Sequence, residues 1–249
     1  MIVDSHCHLD NRKYEGEREA VIERAEEAGV WLFLIPAADP ADLPTAIELA
    51  ERYPNIYFAV GVHPADLEKY DDSVLLDHIS HPKCIAVGEI GLDYYWVKDE
   101  EGRKRQRELF RRQIEIAQFC KKPIIIHTRD AVEDTCKILD QYPEITGIFH
   151  CFTGAHQFLK YSDRFLYGIG GIITFKNNRK LVEAFPKIPK ERVVLETDAP
   201  YLTPHPFRGK RNEPAYLTYI RDKVAQLWGV TSSEVEDITT NNFRGVFNV

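Results

Sequence analysis

Short apolar runs alternate with longer stretches in which apolar residues return every three or four positions, and the alternation persists from Ile2 to Phe247. The runs predict strands over Ile2–Asp4, Trp31–Ala37, Tyr57–Val62, Cys84–Glu89, Pro123–His127, Gly147–Cys151, Phe165–Ile172 and Val193–Glu196. Several, such as Ile124-Ile125-Ile126, are apolar without a break, as parallel strands covered on both faces are. The segments between predict helices over Glu15–Ala28, Ala41–Tyr53, Arg103–Lys121, Asp130–Tyr142, Ala155–Ser162, Asn178–Phe185 and Glu213–Trp228, with a terminal helix over Ser233–Phe247. The first carries Val21, Ile22, Ala25 and Ala28 on one side and stops at Gly29, a suitable residue just past a helix end. Strand followed by helix, eight times in 249 residues, is the layout of a single-domain (β/α)8 barrel over 1–249 with an additional C-terminal helix. A doubly wound sheet is the alternative, but the first strand–helix junction lacks its Gly-rich phosphate loop.

Composition, 44% hydrophobic and 29% charged, is that of an ordinary soluble domain. A strand beginning at Ile2 leaves no room for a signal peptide, and Val30–Pro36 is far too short to span a bilayer. A cytoplasmic protein without membrane partners is therefore expected, acting as a monomer. Five cysteines with no C-x-x-C pair argue against a disulfide framework or zinc ribbon and fit a reducing compartment. A net charge of −7 excludes a general polyanion binder, so any nucleic-acid contact needs a local basic patch.

Candidate chemistry gathers where the predicted strands end, which in a barrel of this kind is the catalytic face. His6 and His8 are two apart and share a face of the chain leaving the first strand, with Cys7 turned away. Glu89, His127, His150 and Asp198 end four other runs, and His63 follows the third strand in Gly61-Val62-His63-Pro64, as a substrate contact or a structural turn. A carboxylate after Ile85-Ala86-Val87-Gly88 is costly to bury unless paired or metal-bound, and its flanking glycines suit Glu89 to bridging two cations. Glu196 and Asp198 share one face, so at least one should enter the mouth. Arg129 follows His127 as an anion contact or as the partner of Asp130. Histidine and carboxylate ligands without cysteine suit Zn²⁺, Mn²⁺ or another borderline divalent ion. Six candidates exceed one open tetrahedral site, whereas two ions would use them all, which is the apparatus of a hydrolase.

The segments Asp4-Ser5-His6-Cys7-His8-Leu9-Asp10, Gly61-Val62-His63-Pro64, Gly88-Glu89-Ile90-Gly91-Leu92-Asp93-Tyr94-Tyr95, Pro123 to Asp130, His150-Cys151-Phe152-Thr153-Gly154, Glu196-Thr197-Asp198-Ala199-Pro200-Tyr201-Leu202 and Arg208-Gly209-Lys210-Arg211-Asn212-Glu213-Pro214 together resemble the TatD family of metal-dependent deoxyribonucleases, within the amidohydrolase superfamily. The resemblance runs in order over essentially the whole chain. It implies a TIM-type barrel with two divalent ions (Mg²⁺, Mn²⁺ or Zn²⁺). His6, His8 and Asp198 would hold one ion, His127 and His150 the other, and Glu89 would bridge them. Asp198 would also take the proton of the attacking water, while His63, His156 and Arg129 contact the scissile phosphate. The implied activity is DNA hydrolysis by a two-metal-activated hydroxide, as an exonuclease working on single-stranded ends.

Two further groups bear on the substrate. Arg208, Lys210 and Arg211 follow the last strand, where they would reach backbone phosphates. Tyr94, Tyr95 and Trp96 follow the fourth, where they would either stack on bases or pack a loop. The rival reading is a hydrolase of the same fold that cuts an ester or amide, such as the linkage of a mischarged (D-)aminoacyl-tRNA. A relic barrel that binds without catalysis is excluded only by the completeness of the ligand set.

Overall fold

Each apolar run pairs with its sequence neighbours, because a short βα unit leaves successive strands side by side. The strands are β1 (Ile2–Asp4), β2 (Val30–Ile35), β3 (Ile56–Val60), β4 (Cys84–Asp93), β5 (Ile124–Arg129), β6 (Gly147–Phe149), β7 (Phe165–Ile169) and β8 (Val193–Leu195). All are parallel and follow the order of the chain in a computed structural model that describes residues 1–249. Two backbone bonds just past the strand ends draw β8 back to β1: Ser5 N–H donates to Leu195 O at 3.0 Å, and Asp198 N–H to His6 O at 2.9 Å. The result is the single-domain TIM-type barrel that the alternation predicts.

The helices are α1 (Arg18–Glu27), α2 (Leu43–Arg52), α3 (Asp72–Leu76), α4 (Glu100–Phe119), α5 (Val132–Leu139), α6 (Arg179–Ala184), α7 (Leu217–Trp228) and α8 (Ser232–Phe247). Their apolar faces and the outward strand residues form one large buried layer. Inside the barrel Val3, Leu34, Ala59, Ile125, Ile148, Leu166 and Val194 form a second, which Phe243 and Phe247 of α8 complete. The terminal helix thus plugs the end of the barrel opposite the catalytic face. It starts at a capping box in which Thr231 and Glu234 each bond the other's backbone N–H.

Several elements differ from the pattern's prediction: β7 ends at Ile169 and Gly171–Thr174 forms a 3₁₀ helix, and α7 starts at Leu217 after a 3₁₀ turn at Pro214–Tyr216. β4 runs four residues beyond Glu89 to Asp93, because Ile90 to Asp93 stay buried and paired with Ile126 to Arg129 of β5. The segment predicted as a helix over Ala155–Ser162 forms a 3₁₀ turn at His156–Tyr161 instead. The short helix α3 lies where no strong period exists, and its start is fixed by Asp71 accepting from Ser73 N–H. No helix is long and apolar enough to cross a membrane.

Candidate metal centre

The exit from β1 is pinned before any ligand is placed. Asp4, fully buried, accepts from the Thr197 hydroxyl at 2.6 Å, from Thr197 N–H at 2.9 Å and from His6 N–H at 3.3 Å. Burial pushes its carboxyl up to about 7 against those bonds. The two chain segments that carry His6, His8 and Asp198 are thereby clamped together. Asp198 itself sits at φ 55°, a left-handed conformation that few non-glycine residues adopt and that aims its carboxylate into the mouth.

Four donor atoms meet there. His6 Nε2 lies 3.3 Å from His8 Nε2, 3.4 Å from Glu89 Oε2 and 3.6 Å from Asp198 Oδ1, and His8 Nε2 lies 3.4 Å from the same Asp198 oxygen. Ligands held at about 2.05 Å by a tetrahedral ion stand about 3.4 Å apart, so these spacings fit a cation at the centre. A second group faces the other oxygen of Glu89: His127 Nδ1 at 2.8 Å and His150 Nε2 at 3.7 Å from Oε1. The rings of His6 and His150 stack with centroids 3.5 Å apart, which sets the two groups against each other.

The carboxylate behind His127 decides which nitrogen that ring presents, whereas His150 Nδ1 has no hydrogen-bond partner. Asp93 Oδ2 lies 3.1 Å from His127 Nε2, and Glu196 Oε1 lies 3.1 Å from His150 Nδ1. With Nε2–H of His127 given to Asp93, its Nδ1 lone pair points at the Glu89 carboxylate. Two acceptors 2.8 Å apart need a proton or a cation between them. His63 is different. Its Nδ1 accepts from Ala65 N–H at 3.0 Å, so the neutral ring carries its proton on Nε2, 3.6 Å from Glu89 Oε1. That nitrogen is a donor to the site and not a ligand.

Charge follows this layout. Burial alone would raise Glu89, but His150, His63, His127 and His6 hold it well below the usual carboxylate range. Burial and the facing His150 lower His6, and burial takes His63 down to about 4 despite Glu89. His150 is raised to about 10 because Glu196 and Glu89 outweigh its burial, and Asp93 and Glu89 raise His127 in the same way.

A cavity of about 610 Å³ opens above these groups and is lined by His8, His63, Glu89, His127, His150 and Asp198 together with Tyr201 and an acidic flank. On that flank Lys69 pairs with Asp39 at 2.7 Å and Asp66 at 2.9 Å, while Asp10 and Asp42 form no ion pair. The structure thus brings together all six residues expected as ligands, with His63 beside them. It does not bring the other expected contacts into the cavity. His156 is exposed on its 3₁₀ turn. Arg208 donates to Thr203 O and lies over Phe175, and Arg211 bonds Lys13 O, Glu17 and Glu213. Arg129 is exposed, forms no ion pair with Asp130, and stacks on Tyr95.

Asp93 was missed as a site residue, although Glu89 and Asp93 share one face once the fourth strand is allowed to continue through Ile90 and Leu92. Of the pair Glu196 and Asp198, Asp198 enters the mouth and Glu196 stays fully buried beneath His150. Arg12, which opens a 3₁₀ turn at Arg12–Tyr14, and Tyr201, in the loop after β8, stand on the cavity wall without a periodic signal.

Known proteins share this architecture. A curated relative from Bacillus subtilis, named the uncharacterized metal-dependent hydrolase YabD, is 40% identical, with all of both chains aligned. Another, the uncharacterized metal-dependent hydrolase YcfH of Escherichia coli K12, is 36% identical across all of this chain and 96% of its own length. The crystal structure of YjjV, a TatD homologue from Escherichia coli K12, superposes with a TM-score of 0.88 at 31% identity, covering 100% of this chain and 98% of that one. The model of the TatD-related DNase family matches residues 3–248, and this chain belongs to that family.

Proposed function

We propose that the protein is a metal-dependent deoxyribonuclease that hydrolyses backbone phosphodiesters at single-stranded DNA ends and uses two divalent ions. The observation that carries this reading is the division of Glu89: Oε2 faces His6, while Oε1 faces His127 and His150. One carboxylate shared between two groups of imidazoles is the form of a bridging ligand. In this reading His6, His8 and Asp198 would hold one ion and His127 and His150 the other, with Glu89 available to both. A donor set this rich in imidazole suits Zn²⁺ or Mn²⁺ better than Mg²⁺. Ions bound there supply Lewis acidity to a phosphoryl oxygen and lower the pKa of water.

The chain's own residues supply the remainder. Asp198, kept ionised against its burial by His8 and His150, is placed to accept a proton from the attacking water. His63 presents Nε2–H to a phosphoryl oxygen as charge develops on it. Arg12 on the cavity wall and Arg129 beside it, neither in an ion pair, are the basic side chains left for a neighbouring phosphate.

The test is single-stranded DNA labelled at either end, incubated with Mg²⁺ or Mn²⁺, with EDTA and Glu89→Gln as controls. Stepwise shortening abolished by both controls is expected, and the surviving label gives the polarity. Intact DNA in the presence of metal-loaded protein would overturn the reading.

One observation favours a second reading. Asp10 and Asp42 stand on the cavity wall outside any ion pair, and burial raises both carboxyls, that of Asp10 to about 7. They would suit the α-ammonium of an aminoacyl ester such as a mischarged aminoacyl-tRNA. Release of amino acid from that substrate, with DNA left intact, would decide for it.

A further inference from the structure

Beside the cavity is a surface that the proposed chemistry does not use. β4 and β5 stay paired to their last residues, Asp93 against Arg129, and Tyr94 N–H donates to Arg129 O at 2.9 Å. The chain therefore leaves β4 level with Arg129. Tyr94 turns inward, where its hydroxyl donates to Asp134. Tyr95 and Trp96 turn outward, 43% and 68% exposed, and their rings meet edge to face at 4.8 Å. The Arg129 guanidinium lies 3.8 Å over the Tyr95 ring and 5.9 Å from that of Trp96. Lys98 adds a second cation 5.3 Å from Tyr95.

Resting on the nucleic-acid reading, we infer that Trp96, Tyr95 and Arg129 form a shelf that stacks an unpaired base of the substrate and holds its phosphate beside the metal centre. Three observations carry this. The shelf is fixed, because Asp93 Oδ1 accepts from Tyr95 N–H at 2.9 Å and from Trp96 N–H at 3.3 Å. The same carboxylate touches His127, so shelf and site share one anchor. The shelf combines exposed aromatic rings with a guanidinium in no ion pair, a pairing that complements a nucleobase joined to a phosphate. Arg129 lies two residues beyond His127, about 7 Å along the strand, so the base it serves is near the reacting phosphate. In a duplex the faces of a base are already stacked on its neighbours. The shelf therefore selects single strands or frayed ends.

The probes are a phosphorothioate-linked oligodeoxythymidylate, which resists hydrolysis, and an abasic chain of the same length and charge, each titrated into the Mn²⁺-loaded protein. Wild type is expected to bind the thymidylate roughly 5- to 100-fold more tightly than the abasic chain. Trp96→Ala should erase that ratio by weakening only the thymidylate, with an unchanged melting temperature as the check on folding. Arg129→Gln should weaken both chains and lower the salt dependence by about one phosphate contact. Equal binding of the two probes by wild type would overturn the shelf, and so would a ratio that survives Trp96→Ala. Hydrolysis of an abasic oligomer with ordinary phosphodiester links, which offers no ring to stack, reports on the diesterase chemistry alone. Loss of base discrimination and failure of the nuclease reading are thereby separated.

Discussion

Asp93 Oδ2 lies 3.1 Å from His127 Nε2, on the side of the ring opposite Glu89. The carboxylate fixes both the tautomer and the tilt of the imidazole, which leaves Nδ1 free for a cation. Residues in this position behind a metal ligand alter affinity roughly 10- to 100-fold when removed. Asp93→Ala should therefore weaken Mn²⁺ or Zn²⁺ binding by that factor in a chelator competition. Asp93→Asn keeps an acceptor for the Tyr95 and Trp96 amides but turns its NH₂ toward His127 Nε2, which moves the ring proton to Nδ1, so it should lose at least as much. Equal affinity in Asp93→Ala and wild type would remove Asp93 from the site.

Glu213 ties the loop after β8 to the first helix. Its carboxylate accepts from Arg24 at 2.9 and 3.0 Å and from Arg211 at 3.0 Å. Burial would raise its pKa, but the two guanidinium groups win and lower it. An acid whose folded pKa lies below its unfolded value, about 4.3, contributes stability that is complete above the unfolded value and lost as pH falls through the folded one. Glu213→Gln should then cost roughly 1–3 kcal/mol at neutral pH, and the gap to wild type should close below about pH 4. Melting temperatures of both proteins across pH 3–7 check this; a gap that is constant with pH would contradict it.

How far the sequence could be read depends on whether a residue's role is set by its strand. His127 and His150 follow Ile124-Ile125-Ile126 and Ile148-Phe149, so their place at the barrel mouth was legible from apolar runs alone. The barrel was legible for the same reason, since alternation of period 2 and 3.6 fixes strand and helix locally. Asp93 was hidden because Gly88 and Gly91 interrupt the run of β4. Those glycines are there for close approach: a Cβ on Gly88 would meet Ile125, and one on Gly91 would meet the His127 carbonyl. Arg208 and Arg211 carry the right charge in the right loop, yet Phe175, Tyr14, Glu17 and Glu213 engage them. Apart from Glu213, two residues from Arg211, these partners come from distant segments, and no local pattern reports them.

Phe243 joins the terminal helix to the inside of the barrel and is fully buried against the inward strand residues. Truncation of such a ring leaves a cavity that rigid strands cannot fill. Phe243→Ala should lower stability by about 3–5 kcal/mol in denaturant titration, with metal affinity at low denaturant unchanged, since the site lies at the other end. A loss below about 1 kcal/mol would show that α8 is not an essential plug.

His63 and His127 stand with ring centroids 4.3 Å apart, yet their tautomers assign them opposite work. Ala65 N–H occupies Nδ1 of His63, so a cation at its Nε2 would require two N–H groups to face each other across 3.0 Å. His63 is therefore a hydrogen-bond donor at Nε2, whereas His127 offers a lone pair. Burial keeps His63 near pKa 4, so the ring is neutral throughout pH 6–8 and contributes no ionisation to a rate profile there. Removing one donor aimed at developing charge costs roughly 10²- to 10³-fold in kcat. His63→Ala should show that loss with metal affinity intact, and His127→Ala should lose the metal as well. Parallel measurement of kcat and of chelator competition separates the two, and metal loss in His63→Ala equal to that in His127→Ala would make His63 a ligand after all.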